Sequence, residues 1–296
     1  MITWRDDTGN IAVFTALAMV VLLSAIALVT DVGVVFFEQT KLANALDAGA
    51  LAGAEQFFAG TNAAQTAALS YVEQNHEQAD HVDVNSVVGS VTVSRTQTVP
   101  LYFARVFGDT QAIISASSTA SVGALQKGTG FVPLAVEQQN FTYGKSYSLS
   151  QGAGVGSTGN YGFLALGGNG ASTLEQNLMY GYPGTIAVGD SLTTETGVMD
   201  GPVRTAILYR LQQGVADSFQ TATETSPRMM LLPVIAGPWP DGKGTVTVIG
   251  FAAFYIDGLT SSGGHQQIVG RFKQLVVPGI VGSSTEFGLY GVHLTH

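Results

Sequence analysis

Histidine and serine are the residues of this sequence that come nearest to a catalytic pattern. The chain has five histidines and no cysteine, which excludes cysteine nucleophiles, thiolate metal sites and disulfides. His265 follows two serines and two glycines, in what we expect to be an exposed hairpin tip. A serine hydrolase would need a serine, this imidazole and a carboxylate in one cleft, and the Gly-x-Ser-x-Gly elbow is absent. We therefore predict no catalytic residue.

Histidines and carboxylates also supply the candidate metal ligands. His76 and His81 stand in an acidic run with Glu77, Asp80 and Asp83. A spacing of five places the two imidazoles on different faces of a helix, so a solvated acidic helix end is the favoured interpretation. We predict no metal site. The remaining candidates are a sparse acidic loop that could hold calcium and two histidines at the C-terminus, namely Asp190, Glu195, Asp200, His293 and His296.

One glycine-rich stretch matches a cofactor fingerprint by its letters. Gly154 to Gly159 has the spacing Gly-x-Gly-x-x-Gly, which binds dinucleotides when it opens a helix. The residues that follow, 160–166, have the composition of a strand, so we predict a flexible loop and no cofactor. A phosphate-binding Gly-x-x-x-x-Gly-Lys-Ser/Thr loop is absent. The formal net charge of −9 argues against nucleic acid as a partner.

The element that must position everything else is a long apolar segment near the N-terminus. Residues Ile11 to Val29 carry no charge, and at about 1.5 Å per residue they span roughly 30 Å as a helix. An alanine-rich continuation without proline predicts one helix from Ile11 to Phe58. A cleaved signal peptide is the alternative, but its apolar core would be shorter. We predict a retained, single-pass membrane anchor.

Charge near the anchor predicts its orientation. Arg5 precedes the apolar run, and the next basic residue, Lys41, lies twelve residues beyond it. The positive-inside rule therefore favours a cytoplasmic N-terminus and an extracytoplasmic C-terminal part. We take Asp31 and Gly33 as the exit from the membrane.

Small residues form one face of the upper half of this helix, the part that follows Asp31. Gly49 and Gly53 form a Gly-x-x-x-Gly pair flanked by Ala45, Ala48 and Ala52, and such spacing allows another backbone to approach closely. The face could pack on the chain's own sheet or on helices of other subunits. Both interpretations make it a packing and assembly surface.

The segment resembles the N-terminal module of the TadE/TadG-like proteins of Flp-type (tight-adherence) pilus systems. The resemblance is strongest over residues 9–54: Gly9 precedes the apolar run, Asp31-x-Gly33 ends it, and a Leu-Ala-Asn-Ala-Leu-Asp-Ala block follows from Leu42. It implies a bacterial envelope protein that works with pilin-like or Tad secretion subunits through this helix. Pilin-type substrates usually carry a glutamate at the fifth position after the processing glycine. Here Phe14 occupies that position, so we predict an uncleaved anchor.

The rest of the chain predicts an α+β fold, in which a transmembrane, pilin-like long helix with a small α/β layer precedes a β-rich domain. We divide it into 1–30 (cytoplasmic tip and anchor), 31–126 (helix plus small module) and 127–296 (β-rich extracytoplasmic domain), with a linker at 127–130. Predicted helices are 63–78, a short one opening at Pro100, 171–180 and 202–213. Predicted strands are 84–94, 113–122, 131–136, 146–150, 161–166, 185–188, 229–235, 245–255 and 267–277.

These features predict a non-enzymatic, membrane-anchored component of a Tad/Flp-type pilus or pseudopilus, either an assembly factor or a minor subunit. Its partners would be the lipid bilayer, other pilin-like or Tad secretion subunits, and in a homo-oligomer further copies of the chain. An anchored surface adhesin or ligand-binding module is the alternative, and an anchored envelope hydrolase is the third. The location would be the bacterial cell membrane, or the pilus itself.

Overall fold

A computed structural model describes residues 8–151, 160–197, 199–262 and 265–295. Its first element is one continuous helix, α1 (Thr8–Glu55), of 48 residues. At about 1.5 Å per residue, the helix is roughly 70 Å long. The predicted helix is confirmed up to Glu55. A short 3-10 turn, Phe57–Ala59, follows it, and Gly60 then turns the chain with a φ of 108°.

A small α+β layer packs on the upper half of α1. It contains α2 (Thr61–Gln74) and the antiparallel strands β1 (His81–Asn85), β2 (Ser90–Pro100) and β3 (Gln111–Gly128). The side chains between them form a core of small and branched apolar residues. That core includes Leu42 and Leu46 of α1, Ala68 and Val72 of α2, and Val91 of β2.

Two local predictions in this layer are wrong, and a third is correct but has different bounds. The predicted strand 84–94 is a hairpin, because Asn85 Oδ1 accepts the Val87 and Val88 amides and Gly89 adopts a φ of 72°. Pro100 ends β2 instead of opening a helix; a 3-10 helix, Ala104–Phe107, forms later. The predicted strand 113–122 is confirmed as the middle of a longer strand, β3, which also includes the first two residues of the predicted linker.

The remainder of the chain is rich in strands. The predicted helices 171–180 and 202–213 are confirmed as α3 and α4, and the strand 229–235 is confirmed as β9. The sequence did not predict the strands Ser191–Glu195, Ile280–Val281 and Leu289–Thr295. The elements are β4 (Leu134–Glu137), β5 (Ser146–Gln151), β6 (Asn160–Leu164), α3 (Ala171–Tyr180), β7 (Ile186–Ala187), β8 (Ser191–Glu195), α4 (Asp200–Gln213), β9 (Met229–Ile235), β10 (Thr245–Ser262), β11 (His265–Lys273), β12 (Leu275–Val276), β13 (Ile280–Val281) and β14 (Leu289–Thr295).

The strands form two sheets. In the second sheet the order is β11-β5-β6-β4-β9-β10-β8, and β10 also pairs with β11, so the first six strands of this order close into a ring. In the first sheet the order is β1-β2-β3-β14-β12. The architecture therefore confirms an α+β fold with a long N-terminal helix and a β-rich part. The division at residues 126 and 127 stays a prediction; β3 runs across it, and β14 returns from the chain's end to pair with β3.

Candidate membrane and assembly surface

The first half of α1 exposes apolar side chains on every face. Large residues from Ile11 to Val29 are between 58% and 71% exposed. Among the described residues, α1 is the one helix that is long and apolar enough to cross a membrane. An exposed surface of this size and composition marks a site of contact with a membrane or with other helices.

The hydroxyl groups of this half are already hydrogen-bonded within the helix. Thr15, Ser24 and Thr30 each donate to the carbonyl oxygen four residues earlier, at 2.8 Å. Lipid offers no partner for polar groups, so segments that cross it must satisfy them internally. The polar side chains between Ile11 and Thr30 meet that condition.

Asp31, the predicted membrane exit, is nearly buried at 5% exposure. Its carboxylate accepts three successive backbone amides from the segment between β2 and β3. Tyr102 N lies 2.8 Å from Oδ1, Phe103 N lies 3.0 Å from Oδ2, and Ala104 N lies 2.7 Å from Oδ2. Asp31 therefore fastens residues 101–108, which we call loop 101–108, to the side of α1. Gly33 is exposed, with open space where a side chain would stand.

An apolar groove of about 950 Å³ lies between α1 and loop 101–108. Leu23, Ile26 and Leu28 of α1 line one side of it, and Val106 and Phe107 of the loop line the other. The groove thus joins the apolar half of α1 to the loop that Asp31 holds. Sequence reasoning found Asp31 from its position after the apolar run, but it did not find the loop as its partner.

The small-residue face of α1 packs on α2 and β2 of the same chain. Ala45, Gly49, Ala52 and Gly53 are buried, and Ala48 is half-buried. A side-chain carbon at Gly49 would lie 2.5 Å from Val72 Cγ2, and one at Gly53 would lie 2.8 Å from Val91 Cγ1. These contacts fill the face within the chain. A role for the same residues in assembly between subunits stays a prediction.

An ion pair that the sequence did not predict ties α1 to the end of α2. Lys41 Nζ lies 2.7 Å from Glu77 Oε1, and the Glu77 side chain is only 6% exposed. This pair uses the acidic residue that stood next to the candidate ligand His76. Among the described residues, no three His, Asp or Glu side chains stand close enough to share a metal ion.

The candidate catalytic and calcium-binding residues form hydrogen bonds with backbone and side-chain groups in the β-rich part of the chain. His265 begins β11, where its Nδ1 lies 3.2 Å from Asp200 Oδ2 and its side chain is 55% exposed. Asp200 also accepts the Gln266 amide at 2.8 Å. Asp190 accepts the Ala187 amide, and Glu195 accepts the Gly170 amide. The structure therefore places the three carboxylates on separate partners.

Two of the sequence candidates fall outside the described residues. The Gly154–Gly159 stretch and His296 lie outside them. His293 lies on β14 opposite Ser121 and is exposed.

Arg210 is a buried cation that sequence reasoning missed. It lies on α4 at 7% exposure, and burial lowers the pKa of its guanidinium to about 10. Its Nη1 donates to the carbonyl oxygens of Pro227 and Met229 at 2.8 and 2.9 Å, and its Nε donates to that of Leu178 at the end of α3. Arg210 therefore joins α4 to α3 and to the start of β9, beside a cavity of about 570 Å³.

Comparison with known proteins identifies the N-terminal segment. No curated protein and no solved structure matches this chain. Residues 9–56, nearly the whole of α1, match the TadE/G-like Flp pilus-assembly family, and this match supports a pilus-related membrane component.

Proposed function

We propose that the chain is a non-enzymatic, membrane-anchored component of a Tad/Flp-type pilus or pseudopilus, serving as an assembly factor or a minor subunit. One observation carries the proposal. The family match falls on a single helix whose first half is apolar and exposed on all faces, while its second half carries a folded layer. The TadE/G-like family is generally non-enzymatic, which favours a structural role.

In this proposal, α1 crosses the bacterial cell membrane once with the N-terminus in the cytoplasm. Arg5 before the apolar run and the absence of basic residues between it and Lys41 support that orientation. Asp31 and Gly33 then mark the exit, and both sheets are extracytoplasmic. Phe14 at the position of the usual glutamate favours an anchor that is not processed.

The partners would pack on the apolar half of α1. The small-residue face around Gly49 and Gly53 is filled by α2 and β2, whereas large apolar side chains such as Val21 and Leu22 are 68% and 63% exposed. Helices of pilin-like or Tad secretion subunits, or of further copies of this chain, could therefore bind beside residues 11–29 within the bilayer.

Photo-crosslinking along α1 tests the proposal. The chain has no cysteine, so single cysteines at Val20, Val21, Leu22 and Leu23 can each carry a benzophenone maleimide. Four consecutive positions sample every face of a helix at about 100° per residue. We expect crosslinks to a pilus or secretion subunit at the positions on one face, and fewer pili in cells that lack the chain.

The matched control is a cysteine at Val87, which is 93% exposed and lies in the turn between β1 and β2, outside α1. It should give no crosslink to those subunits. Wild-type pilus numbers in cells without the chain, together with no subunit crosslinked at any of the four helix positions, would refute the proposal.

A further inference from the structure

Loop 101–108 exposes an unusual density of large apolar side chains. Tyr102 and Phe103 are 60% and 45% exposed, and Val106 and Phe107 are each 84% exposed. Contiguous exposed apolar surface of this kind marks an interaction site more often than a solvated turn. The loop is therefore a candidate contact surface, and its position in the molecule indicates the partner.

The loop lies beside the last turns of the apolar half of α1. Val106 and Phe107 line the same groove as Leu23, Ile26 and Leu28. Leu23 stands eight residues before Asp31, which is about 12 Å down the helix axis. Any medium that surrounds Leu23 and Leu28 therefore also reaches the tip of the loop.

Backbone amides of the loop have hydrogen-bond acceptors within the protein, as weakly polar surroundings require. Three of its amides donate to the Asp31 carboxylate. The Leu101 amide donates to Thr110 O, and the Val106 and Gly108 amides donate to carbonyl oxygens within the loop. Unpaired amides would be costly in the apolar part of a bilayer. These donors are Leu101, Tyr102, Phe103, Ala104, Val106 and Gly108.

The side chains have the composition of a membrane interface. Tyr102, Phe103 and Phe107 are aromatic, Arg105 is an exposed cation among them, and Phe36 on the adjacent face of α1 is 72% exposed. Aromatic rings concentrate at the level of lipid headgroups, and a long basic side chain can extend from apolar surroundings to the phosphates.

We propose that loop 101–108 inserts into the headgroup region of the lipid bilayer, as a second membrane contact beside α1 that fixes the folded layer against the membrane surface. This inference rests on the proposed membrane anchor, because it needs residues 23–28 of α1 to lie in lipid. Lipid is the occupant because the groove continues directly from the apolar half of the helix. Asp31 sets the depth of the loop through its bonds to residues 102–104.

Nitroxide labels on single cysteines test this in the full chain reconstituted in phosphatidylcholine and phosphatidylglycerol vesicles. The label is placed at Phe107, at Leu22 in the apolar half of α1, or at Val87 in the exposed turn. Collisions with oxygen, which concentrates in hydrocarbon, are compared with collisions with a water-soluble nickel chelate. We expect the oxygen-to-nickel ratio to be highest at Leu22 and at least about fivefold higher at Phe107 than at Val87.

The possible outcomes distinguish the membrane contact of loop 101–108 from the membrane anchor on which it depends. A high ratio at Leu22 with a ratio at Phe107 equal to that at Val87 overturns the loop contact and leaves the anchor standing. A low ratio at Leu22 overturns the anchor itself. A ratio at Phe107 that falls to the Val87 value on dilution of the protein in lipid assigns the groove to a second copy instead. Val106→Cys repeats the measurement, in case labelling at residue 107 disturbs folding.

Discussion

Asp31 explains how a carboxylate can stand directly after a membrane-compatible helix segment. An ionised carboxylate that leaves water loses much solvation free energy unless hydrogen bonds replace that water. Here three backbone amides supply those bonds, at 2.7 to 3.0 Å for the shortest contact of each. The same bonds satisfy amides at the start of a 3-10 turn, so one side chain stabilises both partners.

We predict that Asp31→Ala frees loop 101–108 without unfolding the molecule. Hydrogen bonds to a charged acceptor contribute about 1.5–3 kcal/mol each, and about 1.4 kcal/mol changes an equilibrium tenfold. The amides of Tyr102, Phe103 and Ala104 should therefore exchange their hydrogens at least about tenfold faster, while amides of β9 keep their rates. Hydrogen exchange with mass spectrometry in detergent measures both.

Thr30→Ala is the matched control for this change. It removes an exposed neighbouring side chain whose hydroxyl donates to Ile26 O of its own helix. Exchange in residues 102–104 should stay at the wild-type rate. Equal exchange in the Asp31→Ala and Thr30→Ala proteins would contradict the role assigned to Asp31.

At the residue scale, the sequence predicts Asp31 but not the groups that it contacts. Asp31 could be singled out because it is the first charge after a long apolar run. Its partner Tyr102 is 71 residues away and carries no matching signal, since backbone amides are common to every residue type. The same holds for Arg210, whose three acceptors are all carbonyl oxygens.

At the scale of elements, the small residues of α1 allow α2 to approach it closely. Gly49 faces the Ala68 backbone carbonyl and the Val72 side chain, and Gly53 faces Ala64 and Ala68. A side-chain carbon at Gly49 would lie 3.0 Å from the Ala68 carbonyl oxygen, which cannot move without displacing α2. The glycines are therefore needed for packing within the chain.

We predict opposite effects for the same substitution at two glycines of α1. Gly49→Ala should lower the free energy of unfolding by about 1–3 kcal/mol, the usual cost of overpacking. Gly33→Ala meets open space and should raise helix stability by up to about 1 kcal/mol. Thermal unfolding followed by circular dichroism in detergent compares the two variants with wild type. A Gly49→Ala protein as stable as wild type would show that α2 does not pack as described.

At the same scale, the elements that the sequence predicts correctly are those with strong local signals. The predicted helices 171–180 and 202–213 are confirmed, and Pro202 marks the first turn of the second. The strand predicted over 84–94 is wrong because Val87, at 93% exposure, continues the apolar alternation of Val91 and Val93 through a turn. Asn85 and Gly89 impose that turn by hydrogen bonding and by a positive φ, and no periodicity reports either.

At the scale of the whole molecule, β3 and β14 of the first sheet pack in one core with residues of the second sheet. Residues 119–124 of β3 pair with β14, and the end of β3 pairs with β7 and β13. Leu125 of β3 and Leu289 of β14 are buried in the same core as Phe131 and Phe251 of the β-rich part. The ring of Phe58, just after α1, lies 4.6 Å from that of Tyr290 on β14. A composition shift near residue 127 could not predict this connection, since it depends on a strand at the opposite end of the chain.

This connection predicts that the last strand stabilises the layer on α1. Deletion of residues 289–296 removes the buried Leu289 and Tyr290, each of which contributes roughly 1.5–3 kcal/mol by burial, so the free energy of unfolding should fall by about 3–6 kcal/mol. It also leaves β3 with an unpaired edge, which favours self-association. Denaturant unfolding and size-exclusion chromatography in detergent measure the two effects.

The control is deletion of His296 alone, which keeps all of β14 and should behave as wild type. If the longer deletion leaves stability and size unchanged, the two sheets do not depend on each other, and the β-rich part folds as a separate unit above the anchor.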